Sequence, residues 1–249
     1  MKPEIRIFKD IEALSHAVAG LFVEQVAEAV RQRGRFLVAL NGGTTPARLF
    51  QLLAGDLGEQ LDWNKVHVFW GDERCVPPED PGSSYGQAQA ILLSRVPLPG
   101  SNIHRIVGEL GPTQAAHEYA LVLRQFSSPR LAWPRFDLVY LGMGEDGHTA
   151  SLFPGSPVDV PESTLPVTAQ YQDRPANRVT LTPVVLNSAH RIAFMVAGEK
   201  KADTLAKVLS DTHTRNPLLY PAQRIQPEDG RLTWLVDEGA ASKLPESYR

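Results

Sequence analysis

Residues 136–155 read FDLVYLGMGEDGHTASLFPG, and this stretch combines a short apolar run with a loop rich in chemically active side chains. The apolar run is typical of a buried strand, and it ends at Gly142. The loop that follows carries Glu145, Asp146 and His148 among glycines. In α/β proteins, catalytic groups commonly lie on such a loop after a buried strand. The stretch therefore predicts a strand that leads into a functional site.

Strands and helices are predicted to alternate along the rest of the chain. Further strands are predicted at 4–9, 36–40, 66–70, 102–107, 165–169, 179–181, 190–197 and 232–236. Helices are predicted at 11–33, 46–53, 85–95, 112–126 and 198–209. This alternation favours a doubly wound, mainly parallel open α/β sheet, Rossmann-like, with helices on both faces and small strand insertions. Since no repeat or shift in composition marks a boundary, residues 1–249 are predicted to form a single α/β domain.

The composition is that of an ordinary globular protein, with 43% hydrophobic and 21% charged residues. The formal net charge of −3 gives no electrostatic reason to expect binding to nucleic acid or to an anionic membrane. A single cysteine, Cys75, excludes an intrachain disulfide and suits a reducing compartment. No apolar run approaches the roughly 18 residues of a membrane span, and no signal-peptide core is present. A cytoplasmic protein is expected.

Residues 142–147 match the G-x-G-x-x-G pattern of dinucleotide-binding loops, but their context does not fit that function. The pattern requires a helix that opens at the third glycine and faces the pyrophosphate. Here Pro154 and Pro157 leave room for little more than one helical turn. No βαβ unit delivers an acidic partner for the ribose about 20 residues further on. We therefore reject the dinucleotide interpretation.

His148 is the candidate general base of the loop. An imidazole oriented by a carboxylate can accept a proton near pH 7. Asp146 and Glu145 are close in sequence, and Asp72 from another loop could also be the orienting acid. The alternative is an ordinary surface histidine, but His148 stands beside two acids and among glycines that allow a ligand to approach. The other six histidines are expected to be structural or solvent-exposed: His16, His67, His104, His117, His190 and His213.

Residues 41–46, NGGTTP, form a candidate phosphate cradle between a strand and a helix. Thr45 and Pro46 read as the N-cap and first residue of the helix, whose N-terminus favours anions. Gly42, Gly43 and Thr44 would supply backbone N–H groups and a hydroxyl. The segment lacks the lysine of a Walker A loop, and a tight turn with a routine cap is the alternative.

Charged residues follow two further predicted strands. Asp72 and Arg74 come after the strand at 66–70, Lys200 and Lys201 come after the strand at 190–197, and Arg178 opens another strand. Each could be a solvated surface charge. Because the carboxyl ends of parallel strands meet at one edge of the sheet, however, these groups and the loops at 41–45 and 142–148 should converge there. Cys75 lies beside acids that disfavour a thiolate, so it is not a candidate nucleophile.

Together these segments resemble the 6-phosphogluconolactonase family, whose fold group also contains glucosamine-6-phosphate deaminases and ribose-5-phosphate isomerases. The resemblance covers nearly the whole chain. Its motifs are NGGTTP at 41–46, FWGDERCVP at 69–77, SSY at 83–85, LGMGEDGHTASLFPGS at 141–156, RVTLTP at 178–183, GEKK at 198–201 and RLTWLVDEGAA at 231–241. The resemblance implies hydrolysis of 6-phospho-D-glucono-1,5-lactone in the pentose phosphate pathway, without metal or cofactor.

By the same resemblance, His148 would activate water for attack on C1 of the lactone, with Asp72 and Asp146 close to it. The positions expected around the phosphate and the sugar ring are Gly42, Gly43, Thr44, Arg74, Arg178 and Lys200. Which acid faces the histidine stays open at this point, as does the oligomeric state.

Two other functions fit parts of the pattern. Glucosamine-6-phosphate deaminases resemble the loop as far as D-G-H but continue with an F-N-E-P-like string, whereas here Phe153 precedes Pro154 and the glutamate is absent. A non-catalytic sugar-phosphate sensor would normally carry a DNA-binding helix-turn-helix, for which this chain has no spare basic segment. The presence of His148 also favours an enzyme.

Overall fold

The computed structural model describes residues 4–157, 159–210 and 215–248. The strands described are β1 (Glu4–Phe8), β2 (Phe36–Leu40), β3 (Val66–Trp70), β4 (Asp72–Arg74), β5 (Ile103–His104), β6 (Leu138–Gly142), β7 (Thr164–Thr168), β8 (Asn177–Leu181), β9 (Arg191–Val196) and β10 (Arg231–Asp237). The α-helices described are α1 (Ile11–Arg33), α2 (Thr45–Leu53), α3 (Asp56–Glu59), α4 (Ser84–Ala88), α5 (Pro112–Gln125), α6 (Pro183–Leu186), α7 (Ala202–Val208) and α8 (Glu238–Ala241).

The larger sheet has the strand order β1-β10-β9-β6-β2-β3-β5, and all its strands are parallel. The chain leaves β2 to one side for β3 and reaches β6 on the other side, so the order reverses between β2 and β6. Ligands of open α/β sheets bind at such a switch point, beyond the carboxyl ends of the strands. The predicted mainly parallel α/β sheet is confirmed.

A smaller antiparallel sheet of order β4-β8-β7 lies at the carboxyl ends of the parallel strands. The sequence pattern predicts residues 72–74 only as the charged end of the third strand, but they form a strand of their own. Gly71 joins the two sheets: its N–H donates to the carbonyl of Leu40 at 2.8 Å, and its carbonyl accepts from the N–H of Leu181 at 2.8 Å. The chain therefore passes at Gly71 from the large sheet into the small one.

The ends of α1 and the start of α2 are set by capping residues. The Asp10 side chain accepts from the N–H of Ala13, and Gly34 ends α1 with φ 75°, as the sequence predicts. The predicted start of α2 was wrong by one residue, since Thr44 is the cap and Thr45 is already helical. Pro46 fits the first turn because its missing N–H has no helical partner there. His213 lies outside the described residues.

Large aromatic side chains fill the core on either side of the sheet. All five residues of β2 are buried, as expected for a central parallel strand covered on both faces. Phe22 of α1 packs edge-on against Phe36 at 5.3 Å and stacks on Tyr140 at 6.5 Å between ring centroids. None of the described helices is both long and apolar enough to cross a lipid bilayer.

Candidate active site

The loop after β6 folds back on itself and presents His148 to a cleft. The N–H of Gly144 donates to the carbonyl of His148 at 2.9 Å, and the Thr149 hydroxyl donates to the carbonyl of Gly142 at 2.8 Å. A Cβ at Gly144 would collide with the imidazole of His148, and Gly147 has φ 83°, a conformation that side chains disfavour. The glycines of this loop therefore allow the close turn that holds the histidine.

Asp146 is the acid that faces the histidine. Its Oδ1 lies 2.6 Å from Nδ1 of His148 and also accepts from the backbone N–H of His148 at 3.1 Å. Burial favours the neutral acid, but the hydrogen bond and charge of His148 outweigh it and lower the pKa of Asp146. Because an ionised carboxylate can only accept, the proton of a neutral His148 sits on Nδ1 and leaves a lone pair on Nε2.

Asp72 has a different partner. Its Oδ2 accepts from the hydroxyl of Ser151 at 2.7 Å, and the N–H of Ser151 donates to the Thr180 hydroxyl at 3.2 Å. Asp72 is 7% exposed and lines the same cleft as His148. The structure thus separates the two acids: Asp146 contacts the imidazole, and Asp72 ties β4 to the end of the loop that follows β6.

The cradle at Gly42, Gly43 and Thr44 is clamped by a side chain that the sequence did not single out. The Gln87 carbonyl accepts from the N–H of Gly43 at 3.0 Å, and its amide donates to the Gly43 carbonyl at 2.8 Å. Gly43 has φ 113°, and a Cβ at Gly42 would collide with Ser84. Thr44 makes no capping hydrogen bond with its side chain, so its hydroxyl is not used to hold α2.

Arg74 and Arg178 stand opposite each other where β4 pairs with β8. Arg74 Nη1 donates to the Gly82 carbonyl at 2.6 Å, and Arg178 Nε donates to the Pro175 carbonyl at 3.1 Å. Both side chains are buried, and Nε of Arg74 and Nη2 of Arg178 have no hydrogen-bond partner among the described residues. Burial lowers the pKa of Arg178, yet a guanidinium stays charged at neutral pH. Both arginines line the cleft and bring two positive charges to it.

Glu73 was not predicted as a site residue, but it positions the loop beside Arg74. Its carboxylate accepts from the backbone N–H groups of Arg74, Ser84 and Tyr85, each at 2.7 Å, and from the Ser83 hydroxyl at 3.1 Å. The SSY at 83–85 indicates only that Ser83 is a typical helix N-cap, and it does not indicate that Glu73, ten positions earlier, accepts from this helix start.

The structure corrects the choice between the two lysines before α7. Lys201 lines the cleft, whereas Lys200 is exposed and is not among the cleft residues. The reason is the 3₁₀ turn Glu199–Lys201, in which successive side chains point about a third of a turn apart. Burial lowers the pKa of Lys201, although Glu145 and Asp237 oppose this effect.

The hairpin between β7 and β8 adds residues that no motif indicated. Tyr171, Gln172 and Arg174 line the cleft, and the Tyr171 ring meets the His148 ring edge to face at a centroid distance of 4.5 Å. His148 also packs against Phe153 at a centroid distance of 4.6 Å, and the Phe153 and Tyr171 centroids lie 5.8 Å apart. The hairpin sequence AQYQDRPAN carries no recognisable pattern, so only the fold reveals its proximity.

The cleft has a volume of about 220 Å³ and is mostly polar. A larger groove of about 900 Å³ lies at the opposite, amino-terminal edge of the sheet and contains none of the predicted site residues. In the described part of the chain, no three His, Cys, Asp or Glu side chains are grouped so that they could hold a metal ion. The cleft combines a histidine, a carboxylate hydrogen-bonded to it and several cationic side chains, an arrangement that suits proton transfer on an anionic ligand.

Comparison with known proteins identifies related sequences and folds. Residues 9–234 match the family described as glucosamine-6-phosphate isomerases/6-phosphogluconolactonase. The chain is 37% identical over 246 residues to a 6-phosphogluconolactonase of Nostoc sp., covering 98% of this chain and 99% of that protein. It also resembles the structure of 6-phosphogluconolactonase from Trypanosoma brucei, with a TM-score of 0.85, 27% identity, and coverage of 98% of this chain and 99% of that chain.

The same fold occurs in a monomeric glucosamine-6-phosphate deaminase. That structure superposes with a TM-score of 0.80, covering 96% of this chain and 99% of that chain, but the sequences are only 19% identical. This likeness concerns the fold alone.

Proposed function

Since the chain belongs to the family of glucosamine-6-phosphate isomerases and 6-phosphogluconolactonases, we propose that it hydrolyses 6-phospho-D-glucono-1,5-lactone to 6-phospho-D-gluconate, a step of the pentose phosphate pathway. The observation that carries the proposal is the Asp146–His148 pair, with 2.6 Å between Oδ1 and Nδ1, in a cleft that also contains Arg74 and Arg178. A base beside buried cations suits an anionic substrate that reacts with water.

In this proposal, His148 acts first as base and then as acid. Nε2 takes a proton from water while the water oxygen forms a bond to C1 and the carbonyl becomes an oxyanion. Collapse of that intermediate breaks the bond between C1 and the ring oxygen, which receives the proton from Nε2. Asp146 holds Nδ1–H throughout and stabilises the imidazolium between the two proton transfers.

The phosphate would bind at the cationic side of the cleft, remote from C1. Its ligands would be Arg74, Arg178 and Lys201, together with Gly42, Gly43 and Thr44 at the start of α2. Binding there orients the lactone toward His148, which converts binding energy into rate. Asp72 uses one oxygen to hold Ser151, and we assign its other oxygen to a hydroxyl of the sugar ring.

The test is a lactone-hydrolysis assay with freshly prepared substrate, corrected for the spontaneous rate. Wild-type protein should hydrolyse the phosphorylated lactone much faster than unphosphorylated gluconolactone. His148→Ala should lower kcat by about 10²- to 10⁴-fold while binding of a phosphorylated ligand changes little. Turnover close to that of wild type in this variant would refute the assignment of His148 as base, and a wild-type protein inactive on the lactone would refute the proposed function.

The main rival is conversion of an amino-sugar phosphate, which the fold alone would permit. Deaminase-like loops place a glutamate before proline, where this chain has Phe153, whose ring packs against His148. The cleft accordingly lacks that carboxylate, and glucosamine 6-phosphate serves as the control substrate in the same assay. We further propose that the chain acts as a single domain, because the site draws on both sheets, and that it works in the cytoplasm, although related rice proteins are described as chloroplastic.

A further inference from the structure

Tyr171 extends over the site from the hairpin that joins β7 and β8. The hairpin is closed by the N–H of Ala169, which donates to the Ala176 carbonyl at 3.0 Å. At its tip, Gln172 has φ 51°, an uncommon conformation for a residue other than glycine. Because β8 also pairs with β4, the hairpin belongs to the sheet that carries Asp72, Arg74 and Arg178. The small sheet therefore brings an aromatic ring to the catalytic loop of the large sheet.

The imidazole of His148 is enclosed by two aromatic rings. Tyr171 meets it at 4.5 Å with an interplanar angle of 75°, and Phe153 meets it at 4.6 Å with an angle of 34°. The centroids of Tyr171 and Phe153 lie 5.8 Å apart, so the three rings form one cluster. Phe153 comes from the same loop as the histidine, whereas Tyr171 comes from a distant part of the chain. Tyr171 thus contacts His148 directly from the hairpin of the small sheet.

We propose that Tyr171 is a positioning residue for the base, whose ring confines His148 to the orientation in which Nδ1 faces Asp146 and Nε2 remains available to water. The proposal rests on the proposed role of His148. The Asp146 hydrogen bond favours one orientation of the imidazole, but the last torsion of a histidine is an sp³–sp² torsion with a broad range. A ring packed edge to face against the imidazole narrows this range of torsion angles. The energy of an aromatic pair corresponds to about a 2- to 10-fold change in the population of the favoured orientation.

The ring of Tyr171, and not its hydroxyl, would carry this role. Burial raises the pKa of Tyr171, and the charge of Asp146 raises it further, while a hydrogen bond from the Glu145 backbone and the charge of Arg174 act in the opposite direction. The phenol therefore stays neutral across the pH range in which a histidine base works. A neutral phenol does not compete with His148 for the proton, so phenylalanine should replace tyrosine at this position.

The experiment compares Tyr171→Phe, Tyr171→Leu and Tyr171→Ala with wild type and with Tyr248→Ala, which removes a tyrosine that does not line the cleft. We expect kcat to fall about 3- to 10-fold in the alanine and leucine variants, with a smaller change in KM, and to be restored in the phenylalanine variant. In parallel, ¹⁵N NMR of the ligand-free proteins measures the Nδ1–H state of His148, assigned by loss of its signals in His148→Ala.

The NMR readout does not depend on any substrate, so it separates this proposal from the proposed function. Positioning by the ring would be supported if more His148 side chains lacked the Nδ1–H···Asp146 hydrogen bond in Tyr171→Ala than in wild type, while Tyr171→Phe behaved like wild type. An unchanged His148 signal in both Tyr171→Ala and Tyr171→Leu would overturn it. So would a phenylalanine variant as impaired as the alanine variant, since the hydroxyl would then be the active group.

Discussion

Replacing Asp146 with asparagine tests the most specific contact of the site. The carboxylate accepts two hydrogen bonds from His148, one from the ring at 2.6 Å and one from the backbone N–H at 3.1 Å. Asparagine has nearly the same shape and can still accept with its amide oxygen. The substitution therefore removes the negative charge while it keeps most of the geometry.

The size of the effect follows from the charge that is lost. A hydrogen bond to a charged group contributes about 1.5–3 kcal/mol, and this one is needed most when His148 becomes an imidazolium. Since about 1.4 kcal/mol corresponds to a factor of ten in rate, kcat should fall about 10- to 150-fold. If the amide presents its NH₂ group to the ring, the other tautomer is favoured and the loss lies at the upper end of this range.

The assay is the initial rate of hydrolysis of 6-phospho-D-glucono-1,5-lactone, with kcat and KM determined separately. Asp173→Asn is the matched control, because Asp173 is an exposed acid of the nearby hairpin that does not line the cleft. It should retain wild-type kcat. If Asp146→Asn kept kcat within threefold of wild type while remaining folded, the Asp146–His148 pair would not be part of the catalytic machinery.

Two further predictions concern the role of Lys201 in substrate binding and the dependence of the free energy of unfolding on pH. Lys201→Gln should raise KM for the phosphorylated lactone at least about tenfold, because it removes a charged donor. The control variant Lys200→Gln should keep KM within twofold of wild type. Equal effects on KM in the two variants would contradict the assignment of Lys201. Burial, with a smaller contribution from His67, lowers the pKa of His104 to about 4 in the folded protein, against about 6.5 in an unfolded chain. The unfolded chain therefore binds more protons as the pH falls from about 6.5 to about 4, and the free energy of unfolding falls with it. His104→Phe, which retains an aromatic ring against Phe69, should flatten this dependence in urea denaturation measured across that pH range, and an unchanged slope would show that another group titrates.

The parallel sheet was predictable because its strands are strongly patterned. The runs at 36–40 and 66–70 are mainly apolar and are followed by Asn41 and Gly71, and the run at 136–142 ends at Gly142. Both the strands and the loops after them could therefore be located from the sequence. The convergence of these loops then follows from the geometry of parallel strands. For the same reason, the sequence could predict that His148, Arg74 and Gly42–Gly43 lie close together, and the structure places them around one cleft.

The parts that sequence reasoning missed depend on long-range packing or on a single turn of backbone. Tyr171 lies 23 positions after His148 on a hairpin with no motif, and only the pairing of β8 with β4 brings it to the site. Lys200 was assigned by resemblance to the family, whereas the 3₁₀ turn Glu199–Lys201 leaves Lys200 exposed and brings Lys201 to the cleft. The sequence left open which acid faces the histidine, because an acid on another loop, such as Asp72, can lie as close to His148 in space as its sequence neighbour Asp146.

The site is divided between two sheets that meet at Gly71, and this division has a functional consequence. His148 and Asp146 follow β6 of the large sheet, whereas Arg74 and Arg178 belong to the small sheet. The peptide group of Gly71 donates to Leu40 in one sheet and accepts from Leu181 in the other, so it helps to set the distance between base and cations. Substitutions within the small sheet should therefore act mainly on substrate binding and those in the loop after β6 mainly on the chemical step. Tyr171 is an exception among the residues described, because it lies on the hairpin of the small sheet but contacts His148. Its substitution should therefore lower kcat more than it changes KM.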